Sequence, residues 1–478
     1  MNQRYAYEVL VSELHQQVQA GLLRPGDRVP SVRRMSRERG VSISTVLQAY
    51  RVLEARRVLR ARPQSGFYVA APTPTARAEP GRTRPRSVPT EVTTGDVIAE
   101  VLAAAADPSL VPLGAALPDA ALLPTARLNR LMGRVLRRDP ARATTFMAPA
   151  GCPELRHEIA RREWAAGCRI TADDVLVTCG ASEALTLALR ATTRPGDTVA
   201  VESPTFFGVL QTIEALGRRA LEIPTDCRQG ICLDALRRAL DEHAIHACLV
   251  TPNFQNPLGS LMPDAAKGEL VELARSRRVP LIEDDTFGEL YFEGRRPRSL
   301  LDHETDGWVI RCSTFSKTLA PGYRLGWIVP GERFQRRVEL LKNSSTIAVA
   351  APPQMAVAEY LRQDLFDLHL RRLRRILRDT VDRLAFEVLD RFPEGTRVSR
   401  PAGGFVLWVR LPGGVDASDV HRDALHRGIG VSPGSIYSAA GHYRDCLRLS
   451  GGFAWSDRIA RAVDELAGIV RGARASAA

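Results

Sequence analysis

From about residue 91 onward, short apolar runs alternate with longer segments of helical periodicity, and this alternation restricts the fold more than any other feature. Five of the runs end in polar residues and have the pattern of strands: DVLVTC, DTVAVES, HACLVTP, VPLIEDD and GWVIRCST. Strands that alternate with helices form a largely parallel sheet with helices on its faces. We therefore predict an α/β fold here, in which ligands bind at the carboxyl ends of the strands.

The length and the charge of the chain both indicate more than one domain. A chain of 478 residues is too long for one ordinary hydrophobic core and predicts two or three domains. Residues 1–90 contain 16 arginines and six acidic residues, whereas the rest of the chain has an excess of only two positive charges. A basic segment attached to a nearly neutral body predicts a polyanionic partner for that segment alone.

The cysteines and the N-terminal residues indicate the cellular compartment of the protein. The eight cysteines are scattered and form no CxxC pair, so we expect free buried thiols in a reducing cytosol and no metal site. The N-terminus lacks the apolar run of a signal peptide, and no stretch approaches the roughly 18 apolar residues of a membrane helix. We therefore expect a cytoplasmic protein with no membrane partner.

The residues that follow the predicted strands differ in chemistry and complement one another. Gly180 leads from the first strand into an apolar helix, and the free N–H groups of such a helix start bind phosphate well. The next three strand ends supply an aromatic ring, an amide and a carboxylate, from Phe206, Asn256 and either Asp284 or Asp285. Each of these residues alone is an ordinary feature of an α/β fold, so only their combination favours a ligand site.

The fifth run leads into STFSKTLAPGYRLGW, which contains Lys317 and, seven residues later, Arg324. Only three of the 66 basic residues of the chain are lysines, at positions 267, 317 and 342. A lysine, unlike an arginine, can lose its proton and form a Schiff base with an aldehyde. An amine, a carboxylate, hydroxyls, an arginine and a helix-start glycine together predict a site for pyridoxal 5′-phosphate (PLP).

The predicted roles follow from the chemistry of this cofactor. Lys317 would form the Schiff base, and Asp284 would keep the pyridine nitrogen protonated. Phosphate would be bound by the amides of Ala181 and Ser182 and by the side chains of Thr314, Ser316 and Arg324.

The basic N-terminal segment has the pattern of a helix-turn-helix. Two segments of helical periodicity are followed by SISTVLQAYRVLE, in which Ser42, Ser44 and Thr45 stand at the start of a third helix. The second helix of this motif enters the major groove of DNA with its N-terminal residues facing the bases. VLRARPQSGFYVA then alternates around a glycine, which predicts a two-stranded wing with Arg62 near its tip. Any three-helix bundle would share part of this pattern, but the local charge favours DNA.

This segment closely resembles the winged helix of the GntR family of bacterial regulators over residues 4–70, through AGLLRPGDRVPSVRRMSRERGVSISTVLQAYRVLE. Ile43 and Leu47 occupy positions that are often basic in the family, so we expect an unusual base readout. The resemblance places DNA contacts at Arg33, Ser42, Ser44, Thr45 and Gly66.

Residues from about 110 to 470 resemble a fold type I aminotransferase. The motifs that carry the resemblance are LGAALPDAALLP, GCPELRHEIARR, VESPTFFG, TPNFQNPLG, STFSKTLAPGYRLGW and CLRLSGG. The resemblance implies that Lys317 bonds PLP, that Asp284 rather than Asp285 holds its pyridine nitrogen, and that Arg324 binds its phosphate. It also implies that Arg448 binds the carboxylate of a substrate or effector.

Two positions depart from the family pattern. Phe206 stands where the ring that stacks on the cofactor is usually a tyrosine. A second tyrosine, which follows the aspartate and donates to the phenolic oxygen of the cofactor, is absent, and Thr286 or Phe287 stands in its place. Asn256 would then be the remaining partner of that oxygen, and we expect catalysis to be weakened more than binding.

A GntR winged helix joined to an aminotransferase-like domain is the layout of the MocR-type regulators. It implies a winged helix-turn-helix at 1–70, a linker rich in proline and arginine at 71–95, and a fold type I α/β domain at 96–478, with a small C-terminal α+β subdomain from about 370. It further implies a head-to-tail homodimer that binds double-stranded operator DNA and senses PLP or an amino-compound. The alternatives are an active aminotransferase and, less favoured, another PLP enzyme such as a lyase.

Overall fold

A computed structural model describes residues 6–24, 26–55, 58–62, 65–70, 79–85, 88–93, 95–363 and 365–477. The contacts within the chain divide it into two compact units. The smaller unit comprises residues 1–76 with 382–390, and the larger unit comprises residues 77–381 with 391–478.

The N-terminal part of the smaller unit is a helix-turn-helix followed by a β-hairpin, as predicted. Its elements are α1 Ala6–Gln19, α2 Val32–Arg39, α3 Ile43–Ala55, β1 Leu59–Arg62 and β2 Gly66–Val69. Helix α2 begins after Ser31, whose hydroxyl accepts the N–H of Arg34, and ends at Gly40 in the left-handed conformation. The predicted apolar face of α3 forms the centre of the core, and its fully buried members are Val46, Ala49, Tyr50 and Leu53.

The larger unit begins with a nine-stranded sheet in which β5, β6, β8, β9 and β10 are parallel to one another. The order of the strands is β3, β6, β5, β8, β9, β10, β11, β4, and β7 pairs with β6. The elements are β3 Thr90–Glu91, α4 Asp96–Ala106, α5 Thr125–Arg138, α6 Pro140–Thr144, α7 Pro153–Ala166, β4 Leu176–Thr178, α8 Gly180–Thr192, β5 Thr198–Ser203, α9 Phe207–Ala215, β6 Arg219–Asp226, β7 Gly230–Ile231, α10 Leu233–Glu242, β8 Ile245–Val250, α11 Asp264–Arg277, β9 Leu281–Asp284, β10 Val309–Thr314 and β11 Gly326–Val329. All five predicted strands are present.

The C-terminal part contains a second sheet, which is antiparallel and has the strand order β12, β13, β15, β14. Its elements and the helices around them are α12 Gly331–Asn343, α13 Ala351–Arg362, α14 Leu365–Arg391, β12 Arg397–Val398, β13 Val406–Arg410, α15 Ala417–His426, β14 Ser432–Pro433, β15 Cys446–Ser450 and α16 Asp457–Ala477. Within the described ranges, no helix combines the length and the apolar character needed to cross a membrane.

The apolar residues of the large sheet point alternately to its two faces. Val199 and Val201 belong to one hydrophobic cluster, whereas Ala200 belongs to another. Parallel strands are covered by helices on both faces, and this is why the predicted strands are continuous apolar runs rather than alternating ones. Most of their polar residues therefore come near the strand ends, although Arg311 lies in the middle of β10, where it pairs with buried carboxylates.

The described part of the predicted linker lies along the larger unit. The Thr83 hydroxyl donates to the carbonyl of Ser203 at 2.6 Å and accepts the N–H of Thr225 at 2.8 Å. Glu79 pairs with Arg228 at 2.6 Å. Residues 71–78, 86, 87 and 94 of the linker lie outside the described residues. The chain from 79 to 85 is thus hydrogen-bonded to the ends of β5 and β6.

Candidate functional site

The parallel strands bring the predicted cofactor residues to one edge of the sheet. Asp284 is the last residue of β9 and lies opposite Cys312 of β10. Strand β10 ends at Thr314, three residues before Lys317. The charges of Asp284, Arg324 and Arg448 all act on the Lys317 amine. The Lys317 Nζ donates to the backbone carbonyl of Ala116 at 2.8 Å.

Lys317 has the properties of a nucleophilic amine. Burial, together with the positive charges of Arg448 and Arg324, lowers its pKa to about 8, although Asp284 acts in the opposite direction. At pH 7.4 roughly one fifth of such amines are neutral, compared with about one in a thousand for an ordinary lysine, and the neutral amine is the form that attacks an aldehyde.

The two adjacent carboxylates after β9 have different environments. Burial raises the pKa of Asp284, and hydrogen bonds from the hydroxyl and N–H of Thr286, at 2.5 and 3.1 Å, oppose the rise only in part. Asp285 is bonded to Arg311 and to Arg296. Burial acts against ionisation of Asp285 too, but these guanidinium groups outweigh it and hold its pKa below the ordinary value. Asp284 is therefore the carboxylate available to a ligand beside Lys317.

A buried ionic cluster holds Asp285 in place, and no pattern in the sequence indicates it. Arg311 bonds both Asp285 and Glu163 of α7. The Asn253 amide donates to Asp285 at 3.0 Å and accepts from the Lys267 ammonium at 2.8 Å. These partners are far apart along the chain, so only the folded structure brings them together.

Thr286 and Phe287, the two candidates for the missing tyrosine position, differ in what they face. The Thr286 hydroxyl donates to Asp284. The centroid of the Phe287 ring lies 6.0 Å from the Lys317 Nζ. A ring without a hydroxyl thus faces the amine, and no phenolic donor is present at this position.

Gly180, Arg324 and Ser316 form an anion-binding corner. Gly180 begins α8 with a φ of +78°, and a Cβ there would lie 2.6 Å from Arg324 Nη2. Arg324 also lies 3.4 Å from the Ser316 hydroxyl. Ala181 and Ser182 follow in the first turn of α8, where backbone N–H groups have no helical partner. The corner combines a helix start, a guanidinium and a hydroxyl, which suits a phosphate.

Thr314 supports this corner without adding a free donor to it. Its hydroxyl donates to the Leu325 carbonyl at 2.7 Å and accepts the N–H of Ser316 at 3.1 Å. The side chain therefore fixes the turn that carries Ser316. The corner, the amine of Lys317 and the carboxylate of Asp284 together supply the groups that fit PLP.

Arg448 of β15 lies in the same site and is 2% exposed. Its guanidinium donates to Asn256 Oδ1 at 3.3 Å and to the carbonyl of Gly114, and it lies 5.4 Å from the ring centroid of Tyr437. Its Nε has no hydrogen-bond partner among the described residues. A buried guanidinium with an unused N–H is suited to a carboxylate. The bond to Arg448 also leaves the Nδ2 group of Asn256 as the donor for a ligand.

Segment 113–116 belongs to the site, although none of its residues was predicted as a site residue from the sequence. The carbonyls of Gly114 and Ala116 accept from Arg448 and Lys317, the two cations expected to meet a ligand. The segment is tied to the C-terminal sheet, where the Leu113 carbonyl accepts the N–H of Ser450 at 2.7 Å. The only signal in the sequence is the motif LGAALPDAALLP, whose small residues carry no polar side chain at these positions.

Phe206 precedes α9 and is partly buried. Its ring lies 4.6 Å, centroid to centroid, from that of Phe207. A Cβ on Gly208 would lie 2.5 Å from the Phe206 ring, so only glycine leaves room for the ring there. The packing holds the aromatic side chain at the end of β5.

The predicted DNA contacts lie in and around the helix-turn-helix. The Ser42 hydroxyl caps α3 by accepting the N–H of Thr45 at 3.1 Å, and it lies 2.7 Å from each of the Ser44 and Thr45 hydroxyls. Arg33 is exposed on α2 and makes no ion pair with any described residue. Gly66 has a φ of +106° and pairs with the backbone of Arg62, whose side chain lies outside the described residues.

Comparisons with known proteins match each part of the chain to a family. Residues 6–69 match the gntR family of bacterial regulatory proteins, and residues 120–461 match the aminotransferases of class I and II. The chain is 38% identical to the HTH-type transcriptional regulator YjiR of Escherichia coli K12, over 96% of this chain and 97% of the relative.

Transaminases among the relatives match about four fifths of the chain. The 2-aminoadipate transaminase of Thermus thermophilus is 30% identical over 78% of this chain and 94% of its own. The crystal structure of LysN, the α-aminoadipate aminotransferase of Thermus thermophilus, in complex with N-(5′-phosphopyridoxyl)-L-leucine, superimposes with a TM-score of 0.74 and 28% identity. The superposition covers 81% of this chain and 97% of LysN.

Proposed function

This chain belongs to the MocR-type regulators, which join a gntR-family DNA-binding domain to a class I and II aminotransferase domain, and from that premise we propose that its larger unit binds PLP and controls the DNA binding of the smaller one. The aminotransferase family is PLP-dependent. The observation that carries the proposal is the convergence of Lys317, Asp284 and Arg448 at one edge of the sheet.

Each residue of the site has a role in this proposal. PLP supplies an aldehyde that bonds amines and a ring that withdraws electrons. Lys317 provides the amine, and Asp284 keeps a proton on the pyridine nitrogen. Arg324 and the start of α8 hold the phosphate, and Arg448 holds the carboxylate of an amino-compound.

The environment of Lys317 favours sensing over turnover. Phe287 faces the amine and has no hydroxyl with which to stabilise charge on the cofactor's phenolic oxygen. Binding and orientation groups remain in place, because Arg448, Arg324 and Asn256 are retained. The site thus keeps its means of recognising PLP and a carboxylate while it lacks one group that promotes the chemistry.

In this proposal the protein acts in the cytoplasm as a head-to-tail homodimer. A ligand that binds two arrangements of the dimer with different affinities shifts their populations, and the winged helices then meet the operator differently.

The cofactor is tested by absorbance. The protein loaded with PLP should be yellow, and Lys317→Ala should lose this absorbance and release PLP on dialysis. Lys342→Ala is the matched control, because Lys342 of helix α12 is also a buried lysine but its Nζ donates to the carbonyl of Ile347. A wild type that stays colourless after incubation with PLP would refute the cofactor assignment.

The regulatory role is tested on the promoter region of the protein's own gene. DNA binding should be altered by PLP or by one member of a panel of amino-compounds, and Lys317→Ala should not respond. Binding that ignores every ligand in the panel would remove the sensing role while leaving the DNA-binding role intact.

A second candidate function is transamination, which the near-complete set of Lys317, Asp284, Arg324 and Arg448 favours. Single-turnover spectroscopy with a panel of amino acids separates the two. We expect at most slow conversion, and we expect Phe287→Tyr to raise it by restoring a phenolic donor. Sustained turnover of the wild type at ordinary aminotransferase rates would make the protein an enzyme.

A further inference from the structure

The start of the DNA-reading helix carries an exposed aliphatic side chain. Ile43, the first residue of α3, is 50% exposed, whereas Val46 and Ala49 of the same helix are fully buried. Leu47 lies one turn after Ile43 on the same side and is half-buried. The core of the domain does not require the Ile43 side chain, because the opposite face of α3 forms that core.

The hydroxyl groups beside Ile43 are partly committed to one another. A serine hydroxyl has one proton and two lone pairs. The Ser42 hydroxyl accepts the N–H of Thr45 and is shared with the hydroxyls of Ser44 and Thr45, so its capacity is filled. Ser42 therefore acts as the cap of the helix, and fewer polar groups remain there to read bases than the sequence suggests.

No charged side chain lies between residues 42 and 48, where the sequence is SISTVLQ. The bidentate contact of an arginine with guanine is therefore not available from the first turns of the helix. The apolar group that base pairs present in the major groove is the C5-methyl of thymine. An exposed isoleucine among short hydroxyl side chains is complementary to that methyl group.

We propose that Ile43 packs against the C5-methyl of a thymine in each half-site of the operator. The inference rests on the DNA-binding role and specifies the base that the first turn of α3 reads. Exposed polar neighbours on the same helix, Ser44, Gln48 and Arg51, suit the wet, charged surface of DNA. They do not suit the apolar interface that a protein partner at Ile43 would need.

The test uses the full-length protein and a selected operator. Binding sites are first selected from a random DNA library with the wild type. Each thymine of the selected site is then replaced by deoxyuridine, which removes only the methyl group. At one position in each half-site, we expect affinity to fall by about fourfold, the effect of withdrawing one methyl group from an apolar contact.

Variants of Ile43 link that effect to the side chain. Ile43→Ala should bind the thymine site more weakly and should bind the thymine and deoxyuridine sites equally. Ile43→Val is the milder change and should keep a reduced preference for thymine. It also provides a test if the alanine variant folds poorly. Leu22→Ala is the control, because Leu22 is 76% exposed in the same unit but lies outside α3.

The outcomes are distinct. Deoxyuridine sensitivity at one position per half-site that disappears in Ile43→Ala supports the proposal. Equal affinity for thymine and deoxyuridine at every position overturns it, and so does sensitivity that persists in Ile43→Ala. If the wild type selects no sequence at all, the DNA-binding role fails and this inference fails with it.

Discussion

At the scale of single residues, two neighbouring carboxylates perform different tasks because their partners differ. Asp284 is buried beside Lys317 with hydrogen bonds from Thr286 alone, and Asp285 is neutralised by Arg311 and Arg296. One aspartate is thus available to a ligand, and the other joins the end of β9 to its neighbours.

This difference predicts opposite results for two conservative changes. Asp285→Asn should lower the free energy of unfolding by about 3–5 kcal/mol, because it leaves buried guanidinium charge without its partner. Asp284→Asn should not destabilise the fold, since it removes a charge that burial disfavours, but it should weaken PLP retention. Urea unfolding and dialysis of the loaded proteins measure the two effects. Equal destabilisation by both changes would contradict the assignment.

The lowered pKa of Lys317 predicts a pH dependence. The rate at which the cofactor-free protein bonds added PLP should rise with pH through an inflection near pH 8, where Lys317 loses its proton. Arg448→Met removes a positive charge that lowers this pKa, so the inflection should move to higher pH. Arg448→Lys keeps a positive charge and should leave the inflection close to its original place. Stopped-flow absorbance follows the reaction, and an unmoved inflection in Arg448→Met would count against the electrostatic coupling.

At the scale of elements, the segment 79–85 joins two strand ends that lie close to the site. Thr83 bonds the carbonyl of Ser203, three residues before Phe206, and the N–H of Thr225. The end of β5 is therefore hydrogen-bonded directly to the segment of chain that leads to the DNA-binding unit.

Removal of the Thr83 hydroxyl tests how firmly this segment is held. Thr83→Val leaves the buried N–H of Thr225 without its partner, at a cost of about 1–3 kcal/mol. Amide hydrogen exchange at Thr225 should therefore accelerate by at least about fivefold. Thr90→Val is the control, because the Thr90 hydroxyl bonds only the nearby Val88 carbonyl. Unchanged exchange at Thr225 would indicate that the backbone alone holds the segment.

The elements were predictable where their sequence depends on one local rule. Strands buried on both faces must be apolar throughout, so β5, β8, β9 and β10 could be read from the sequence together with the polar residues at their ends. The pairing of Asp285 with Arg311 and Arg296 could not, because the chain offers 63 arginines and only tertiary distance selects among them. The contacts of Gly114 and Ala116 could not either, since every residue has a backbone carbonyl.

At the scale of the whole molecule, positive charge is concentrated in the N-terminal segment. The excess of ten positive charges within residues 1–90 contrasts with an excess of two in the remainder. Affinity for DNA comes mainly from neutralised phosphates, whereas ligand binding in a buried site is screened far less by salt.

This separation predicts different salt dependences for the two activities. The logarithm of DNA affinity should fall linearly with the logarithm of salt concentration, by about 0.9 for each phosphate contacted. PLP retention should change little over the same range. Deletion of residues 1–70 should abolish DNA binding and leave the PLP absorbance. Titrations of one preparation at several salt concentrations measure DNA affinity and PLP retention. DNA binding that survives the deletion would contradict the assignment of DNA binding to residues 1–70.

The carbonyls of Gly114 and Ala116 accept hydrogen bonds from the two cations of the site, so a ligand that binds these cations must replace those bonds. Arg448 and Lys317 already have backbone partners, so an incoming carboxylate or aldehyde gains only the difference between the new bond and the old one. The observed affinity then equals the intrinsic affinity multiplied by the fraction of molecules in which segment 113–116 has moved aside. The Leu113 carbonyl accepts a hydrogen bond from the N–H of Ser450 in β15. Displacement of segment 113–116 would therefore also disturb the C-terminal sheet. Ligands that displace this segment to different extents would therefore differ in structural effect even where their dissociation constants are equal.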